Sequence, residues 1–404
     1  MRISTVTMFE QSLNSLASQQ SSFLKIGQQI ASGSRVVNPS DDPQAASRAV
    51  GIAQAAAVNQ QYADARISAR NSLGQEEGVL NSVADAINSV KTRLVQAANG
   101  TLSDADRSSL ASEVRGVYEA MLGQANAADG NGRYLFGGFK DNSPPFIKDP
   151  ATGAVGFIGD PGMTQLKVDS SRLMANSDSG EDIFLRVHSS AKPVATPDAN
   201  NQGSVTFVGP NVVNNAASNF GDAFTVSFAA DAASPSGFNV LIGGVDQGPY
   251  ESGKSYGANG LSLTLEGVPV AGDAIAVSPA QEVAGGPNLF RTLENVLAVL
   301  DKPAESDADK ARLQNTISTS MRELDNALDN VLTTRASVGA RLNELDVLDS
   351  VGSNRALNYA QTLSDLVDLD YNKAISEYAL RQVGLQAAQK SFLDIQKLSL
   401  FDRM

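Results

Sequence analysis

The side chains that most often carry out catalysis are scarce in this sequence. It contains one histidine, His188, and no cysteine. One histidine excludes HExxH zinc sites and other multi-histidine sites, and the absence of cysteine excludes thiol catalysis, thiolate ligands and disulfides. A Ser-His-Asp triad would have to use His188, which follows an apolar run and which we interpret as a residue at the end of a strand. We therefore predict no enzymatic activity, no catalytic residue, no metal site and no cofactor.

Neighbouring carboxylates occur at Asp41 and Asp42. They could bind a cation, but the further oxygen ligands of a calcium loop do not follow at the required spacing. Ser40, Asp41 and Asp42 are also of the residue types that cap helices, and Pro43 suits a first helical turn because its missing N–H is not needed there. We interpret these residues as the start of a helix.

The composition is typical of an acidic globular protein. The chain has 404 residues, enough for two or three domains, with 42% hydrophobic residues and a net charge of −13. The negative charge argues against a nucleic-acid partner. No run of about 18 apolar residues is present, so no membrane span is expected. The N-terminus lacks a basic head followed by an apolar core, so we expect no cleaved signal peptide.

A long helix is predicted at the start of the chain. Apolar residues recur there at steps of three, four and seven, as on one side of a coiled-coil helix. They are Phe9, Leu13, Leu16, Phe23 and Ile30. Between Ile3 and Ser34 the only charged residues are Glu10 and Lys25, and the polar face is mainly Ser, Gln and Asn. Serine and asparagine favour a helix weakly, so we expect this helix to need a partner.

A break follows between residues 31 and 43. Gly33 can end the first helix, and Pro39 excludes helical dihedrals at Asn38. From Pro43 a helical pattern continues to about Ala98. A capping box at Ser103 and Asp106 predicts a third helix that reaches about residue 128.

The composition of the sequence changes in residues 137–287, which hold 21 of the 34 glycines and 12 of the 15 prolines. Short runs of β-type residues alternate there with turn residues, which predicts a β-rich domain. The predicted strands are Val155–Ile158, Gln165–Val168, Ile183–Val187, Val205–Val208, Phe224–Phe228, Phe238–Ile242, Leu261–Leu265 and Ala274–Val277.

Helices are predicted again after Pro287. A short helix spans Leu289–Leu300, and Ser306 with Asp309 forms a second capping box before a long apolar stripe that ends at Leu345. A last helix is predicted from about Leu363. Its apolar face holds Ile375, Tyr378, Leu385, Phe392 and Ile395.

These elements predict a nested α+β multidomain protein. Both chain ends form a long antiparallel helical bundle or coiled coil, and a β-rich domain is inserted between them. The predicted domains are residues 1–43 with 363–404 as terminal segments, 44–136 with 288–362 as a helical rod, and 137–287 as an outer β-rich domain.

Three stretches resemble a known family. They are the helix–break–helix of Ile30–Val50 with its Asp-Asp-Pro, the GRYLFGG of Gly132–Gly138 followed by Pro144–Phe146, and the ending from Asp368 to Met404. Together they resemble the flagellin family, and within it the hook-associated branch that joins hook to filament. We expect Tyr134–Phe136 to be a short strand between two turns. The motif residues are Asn38, Pro39, Asp41, Asp42, Pro43, Gly132, Arg133, Tyr134, Phe136 and Gly137.

The resemblance implies an extracellular subunit of the bacterial flagellum, exported unfolded by the flagellar type III pathway. It implies self-association through terminal helices that are disordered in the monomer, contacts with the neighbouring hook-associated protein and with filament flagellin, and an export chaperone at the C-terminal segment. The expected interface residues are Phe9, Leu13, Leu16, Phe23, Ile30, Ile375, Tyr378, Leu385, Phe392 and Ile395.

Two alternatives remain open at this point. The chain could be filament flagellin itself, in which case the purified protein would polymerise into long free filaments. The β-rich insert could also carry an enzymatic or adhesive activity, since an exposed insert tolerates variation.

Overall fold

The structure is a computed structural model that describes residues 5–283 and 285–401, with the side chains of 7–283 and 285–394. Residues 1–4 and 402–404 of the predicted terminal segments lie outside the described residues, as does the side chain of Ile395.

The described helices agree closely with the capping signals. They are α1 Thr5–Ser32, α2 Pro43–Ala97, α3 Asp104–Ala125, α4 Gly180–Phe184, α5 Leu289–Leu300, α6 Asp307–Val367 and α7 Tyr371–Phe401. The side chain of Ser103 accepts a hydrogen bond from the N–H of Asp106, and the carboxylate of Asp106 accepts one from the N–H of Ser103, as a capping box requires. Ser306 and Asp309 do the same at the start of α6.

The strands are short and antiparallel to their neighbours. They are β1 Phe146–Lys148, β2 Val155–Phe157, β3 Gln165–Asp169, β4 Arg172–Ala175, β5 Val194–Pro197, β6 Thr206–Val212, β7 Phe224–Ala230, β8 Phe238–Ile242, β9 Val245–Pro249, β10 Ser255–Ala258, β11 Leu261–Glu266 and β12 Ala274–Ser278. The helical ends around a β-rich middle confirm the predicted α+β class.

The chain divides into two compact units. The terminal unit comprises residues up to Asp64 and from Val347 onwards, and the central unit is Ala65–Asp346. Helices α2 and α6 contribute residues to both units.

In the terminal unit, α1 packs along α7. The ring centres of Phe9 and Phe392 lie 5.3 Å apart, and those of Phe23 and Tyr378 lie 4.7 Å apart. Because the residue numbers run in opposite directions along the two helices, the pair is antiparallel, as predicted for the chain ends.

In the central unit, α2 and α6 form an antiparallel pair with a heptad seam. The residues of α2 at this seam recur every seven positions and are fully buried, as are those of α6. They are Leu73, Leu80, Ile87 and Leu94 on α2, and Leu324, Val331, Val338 and Leu345 on α6. Ion pairs flank the seam, with Glu77 2.6 Å from Arg335 and Lys91 2.5 Å from Asp325.

Most of the strands form a β-sandwich. One sheet has the order β5-β12-β7-β8-β9 and the other β10-β11-β6. Phe224, Val226 and Phe228 of β7 point into the core between the sheets, as every second residue of a half-buried strand does. The remaining strands pair as two hairpins, β1 with β2 and β3 with β4.

Helix α6 covers the two edge strands β5 and β6 with one row of polar side chains, which we call the α6 ladder. It consists of Asn315, Thr319, Arg322, Asn326 and Asn330, spaced by three and four residues. Each binds backbone groups of the insert. Asn315 accepts from the N–H of Phe207 (3.1 Å) and donates to the carbonyl of Val205 (2.8 Å), and Thr319 donates to the carbonyl of Ala195 (2.7 Å).

The rest of the ladder continues along the insert. Asn326 pairs with both backbone groups of Lys192, at 2.9 and 2.8 Å, and Asn330 donates to the carbonyls of Asp182 and Ile183. Arg322 donates to the carbonyl of Pro210. Since an open sheet edge presents unpaired backbone groups, these side chains satisfy groups that would otherwise be buried without partners.

Several sequence predictions were wrong. Ile183–Val187 is not a strand, because Ser179 caps the short helix α4 at this place. Tyr134–Phe136 is not a strand either, since only Tyr134 makes an isolated bridge, to Ala128. The last helix does not begin near Leu363, because α6 continues to Val367.

The break between α6 and α7 is set by Asp370. Its carboxylate accepts from the N–H of Lys373 (3.2 Å) and its carbonyl accepts from that of Ala374 (2.9 Å), so it caps α7. Strands β1, β4, β5, β9 and β10 were not foreseen, because they are three to five residues long and polar in places.

We predict that Asn315→Ala destabilises the central unit by about 1–3 kcal/mol, because it leaves the buried backbone groups of Val205 and Phe207 without partners. The measurement is urea unfolding. The matched control is Asn343→Ala, on the exposed face of the same helix, which should change the free energy of unfolding by less than about 0.5 kcal/mol. Equal effects of the two substitutions would contradict the role of the ladder.

Candidate assembly interface

The predicted terminal stripe lies largely where α1 meets α7. Phe9, Phe23, Tyr378 and Phe392 form the two aromatic contacts. Leu16, Ile30 and Leu385 are half-buried, whereas Leu13 is exposed. Gly27 faces the ring of Tyr378, and a Cβ at this position would lie 3.9 Å from the ring, in ordinary contact.

Ile375 is exposed, whereas Tyr378, Leu385 and Phe392 are half-buried. The side chain of Ile375 is 57% exposed, and the buried residue beside it is Ala374. Tyr378, Leu385 and Phe392 follow one another at seven-residue steps, as on one face of a coiled-coil helix.

The terminal unit leaves much of its apolar surface exposed. Among its described residues, the exposed large apolar side chains of α1 and α7 are Met8, Phe9, Leu13, Leu24, Tyr371, Ile375, Leu380, Val383 and Leu393. The buried apolar residues of the terminal unit are Ile26, Ala45 and Ala374. Exposed apolar side chains along both helices make this pair a candidate for interaction with another protein.

The charges of α1 leave this surface nearly neutral. Lys25 Nζ lies 2.9 Å from the carboxylate of Asp41, which also accepts from the N–H of Asn38. The hydrogen bond from Lys25 is the main reason why the pKa of Asp41 is lowered. A neutral surface can approach copies of itself without charge repulsion.

The break between α1 and α2 is built as the residue types predict. Gly33 has φ +71°, a conformation that favours glycine at a helix end. Asp42 caps α2 by accepting from the N–H of Ala45 (3.0 Å), and this bond, followed by the one from Arg35, lowers the pKa of Asp42. Pro43 is the first residue of α2.

Arg35 joins the two chain breaks of the terminal unit. Its guanidinium donates to Asp42 (3.1 Å) and to the carbonyl of Leu366 (2.6 Å), and its N–H donates to the carbonyl of Val367 (2.7 Å). The N–H of Leu369 donates in turn to the carbonyl of Gly33 (3.0 Å). The break before α2 and the break before α7 therefore satisfy each other's backbone groups.

Asp41 and Asp42 each have partners within the chain, so the structure gives no support to a cation between them. Within residues 5–283 and 285–401, no group of three or more His, Asp or Glu side chains could hold a metal ion. In the same ranges no helix is apolar over a length that would cross a bilayer. An open groove of about 500 Å³ lies beside the break, lined in part by Leu24, Gln28 and Val37.

Known proteins resemble the whole chain. A sequence model of the bacterial flagellin N-terminal helical region matches residues 3–141. Flagellar hook-associated protein 3 of Escherichia coli (strain K12) is 36% identical over 402 residues, which cover 99% of both chains. The chain belongs to the flagellar hook-associated protein 3 family.

Solved structures agree with this assignment. The crystal structure of FlgL from Xanthomonas campestris has a TM-score of 0.68 and 28% identity, and it covers 77% of this chain and 99% of its own. The flagellar junction protein FlgL from Legionella pneumophila has a TM-score of 0.66 and 26% identity, covering 80% of this chain and 100% of its own.

The GRYLFGG motif that resembles this family is part of a buried aromatic cluster in the central unit. The cluster consists of Phe136, Phe146, Phe184 and Phe290. Phe184 lies 5.7 Å from Phe136 and 5.3 Å from Phe146, and Phe290 of α5 lies 5.2 Å from Phe146, between ring centres. Such pairs stabilise beyond their buried area, so the cluster ties the helices to the insert.

The polar groups of the motif hold the turn in place. The N–H of Tyr134 donates to the carbonyl of Asp141 (2.8 Å), and the guanidinium of Arg133 lies 3.8 Å from the carboxylate of Asp141. Gly132 has φ +80°. A Cβ on Gly137 would lie 2.6 Å from the carbonyl oxygen of Lys140. The motif is thus a connector between helix and sheet, with a structural role.

We predict that Gly138→Ala strongly destabilises the central unit. Gly138 has φ +65°, and a Cβ there would lie 2.0 Å from the carbonyl oxygen of Asp160, so the backbone must move. The expected loss of unfolding free energy is about 3 kcal/mol or more, measured by thermal or urea unfolding. The control is Gly130→Ala in the same connector, where a Cβ meets no atom within 4 Å; a similar loss in both variants would contradict the steric argument.

A phosphate-loop spacing, G-x₄-G-K-S, is present at Gly248–Ser255. Such a loop leads from a strand into a helix, whose N-terminus holds the phosphate. Here the segment leads from β9 to β10, and Lys254 lies 3.0 Å from Glu251 and over the ring of Tyr256. An overlapping G-x-S-x-G spacing is not a nucleophile elbow for the same reason, since that motif requires a strand-to-helix turn.

His188 is an exposed loop residue between α4 and β5, so its interpretation as a strand-end residue was wrong. Its Nδ1 lies 2.8 Å from Ser190 Oγ. Neither this histidine nor Lys254 lies in a site that resembles a catalytic one.

Proposed function

We propose that this chain is a structural subunit of the bacterial flagellum that forms part of the junction between hook and filament. The observation that carries the proposal is the pair α1–α7, whose antiparallel contact leaves apolar side chains of both helices exposed. Full-length similarity to flagellar hook-associated protein 3 supports the place of the subunit in the flagellum.

The terminal helices supply the assembly interface. Leu380 is 71% exposed and Val383 is 63% exposed on α7, and Leu24 is 57% exposed on α1. Burial of such side chains between copies would stabilise an assembly by about 25 cal/mol per Å² of apolar surface removed from water. The partners in this proposal are further copies of the chain, the neighbouring hook-associated protein and filament flagellin.

The same surface suits export. In this proposal the subunit leaves the cell through the flagellar type III pathway and becomes an extracellular component of the flagellum. A helix rich in Ser, Gln and Asn has little intrinsic stability, which helps the chain stay unfolded until it assembles. A cytoplasmic chaperone would cover the apolar side chains of α7 before export. We infer no enzymatic activity.

Fluorescence imaging tests the proposed position of the subunit between hook and filament. A labelled subunit that replaces the native protein should appear as a single focus at the hook–filament boundary of each flagellum. Leu380→Asp should abolish this focus and the attachment of filaments, because it places a charge in the apolar interface. Leu173→Asp, the same substitution at a residue of β4 that is 56% exposed, should leave both unchanged.

Label along the whole filament would favour filament flagellin instead. So would long free filaments formed by the purified subunit alone. Incorporation of the Leu380→Asp variant as efficient as that of the Leu173→Asp variant would contradict the terminal interface.

We also propose that α1 and α7 are disordered in the free subunit and become ordered on assembly. Amide hydrogen exchange of the dilute monomer should be nearly unprotected in residues 5–32 and 371–401 and slow in the buried part of α2, because few apolar side chains are buried in the terminal unit. Incorporation into the flagellum should slow exchange in both terminal helices. Strong protection in the dilute monomer would refute this proposal.

A further inference from the structure

A carboxylate occupies the seam of the α2–α6 pair. Glu76 lies between Leu73 and Leu80, at the three- and four-residue steps that the seam positions follow, and its exposed fraction is 0%. The seam positions on its C-terminal side, Val83 and Val90, are apolar and fully buried. A charged side chain at such a position is unfavourable unless it is neutralised or paired.

The partners of Glu76 do not supply that pairing. Its Oε1 accepts from the N–H of Asp178 (3.1 Å), and its Oε2 has no hydrogen-bond partner among the described residues. The carboxylate of Asp178, in the segment after β4, binds the guanidinium of Arg341 on α6. Arg341 also donates to the carbonyl of Ala175 (3.2 Å).

The charges around Glu76 are therefore two carboxylates and one guanidinium. Arg341 is paired with Asp178. Glu77, the residue after Glu76 on α2, is paired with Arg335 at 2.6 Å. If Glu76 were ionised, the site would hold one uncompensated negative charge away from water, which is strongly unfavourable.

Burial is the main cause that raises the pKa of Glu76, to about 8, and the nearby charge of Asp178 raises it further while Arg341 opposes both. The carboxyl group is then protonated at neutral pH. A proton removes the repulsion between Glu76 and Asp178, so that Asp178 can remain between α2 and Arg341.

We propose that Glu76, Asp178 and Arg341 form a proton-dependent latch that holds residues 175–179 against α2 and α6. The latch is closed while Glu76 carries a proton. Loss of the proton releases the segment, because the ionised carboxylate repels Asp178 and needs water.

The direction of the pH dependence follows from linkage. The pKa of Glu76 in the folded state is above the ordinary value of 4.5, so the folded state binds the proton more tightly than the unfolded state. The stability from this group is complete below about pH 4.5, falls as the pH rises towards 8 and is constant above that.

Urea unfolding across this pH window tests the latch on the whole chain. The unfolding equilibrium constant of the wild type should rise by up to about tenfold per pH unit more than that of Glu76→Gln, which is uncharged at all pH values. The protection factors of the amides of residues 175–179, which are corrected for base catalysis of exchange, should fall with pH in the wild type and stay constant in Glu76→Gln. Glu77→Gln, the same substitution at the neighbouring half-buried pair with Arg335, should keep the pH dependence of the wild-type unfolding constant.

The proposal would be overturned if the unfolding equilibrium constant of Glu76→Gln changed with pH as steeply as that of the wild type. If this variant does not fold, the carboxyl carbon of Glu76 in isotope-labelled wild-type protein provides a direct measurement by NMR. A titration midpoint at least about two units above the ordinary glutamate value supports the latch, and a lower midpoint refutes it.

Discussion

The central unit depends on one requirement, that every buried backbone group has a hydrogen-bond partner. Two short sheets face each other, and their edge strands β5 and β6 each have a strand neighbour on one side only. Helix α6 meets this requirement with amide and hydroxyl side chains. Asn315, Thr319 and Asn326 bind backbone groups of Val205, Phe207, Ala195 and Lys192. The position of the insert on the helices follows from these bonds.

The same helix carries an apolar seam on another face. Leu324, Val331, Val338 and Leu345 are fully buried at intervals of seven residues, in the pair with α2. The seam and the α6 ladder contribute differently. The seam buries apolar surface between α6 and α2. The ladder sets the register of the insert along α6, because a hydrogen bond tolerates less displacement than an apolar contact.

The two units of the chain contrast in how they bury apolar surface. The central unit holds the aromatic cluster, the seam and the sandwich core, while the terminal unit leaves Leu24, Leu380 and Val383 largely exposed. This division suits the assembly proposed above, since ends with a complete core of their own would gain little from neighbours.

Local signals in the sequence determined most helix boundaries. The capping boxes at Ser103 and Ser306, the glycine at Gly33 and the Asp-Pro pair before α2 act within one turn, so they can be read from neighbouring residues. The apolar stripes of the long helices pointed to the fold class, and the motif at Gly132–Gly138 pointed to the family. The same local reading mistook Ile183–Val187 for a strand, since an apolar run suits either a strand or a buried helix.

Only the tertiary structure decided what the polar residues of the helices do. Asn315 and Phe207 are separated by 108 positions, and Glu76 and Asp178 by 102. Nothing in the residues around Asn315 distinguishes it from an exposed asparagine, and the phosphate-loop spacing at Gly248–Ser255 is indistinguishable in sequence from a functional one. The physical reason is that capping and periodicity depend on neighbours in the chain, whereas the partner of a buried polar group is set by which distant backbone the fold brings within hydrogen-bond distance.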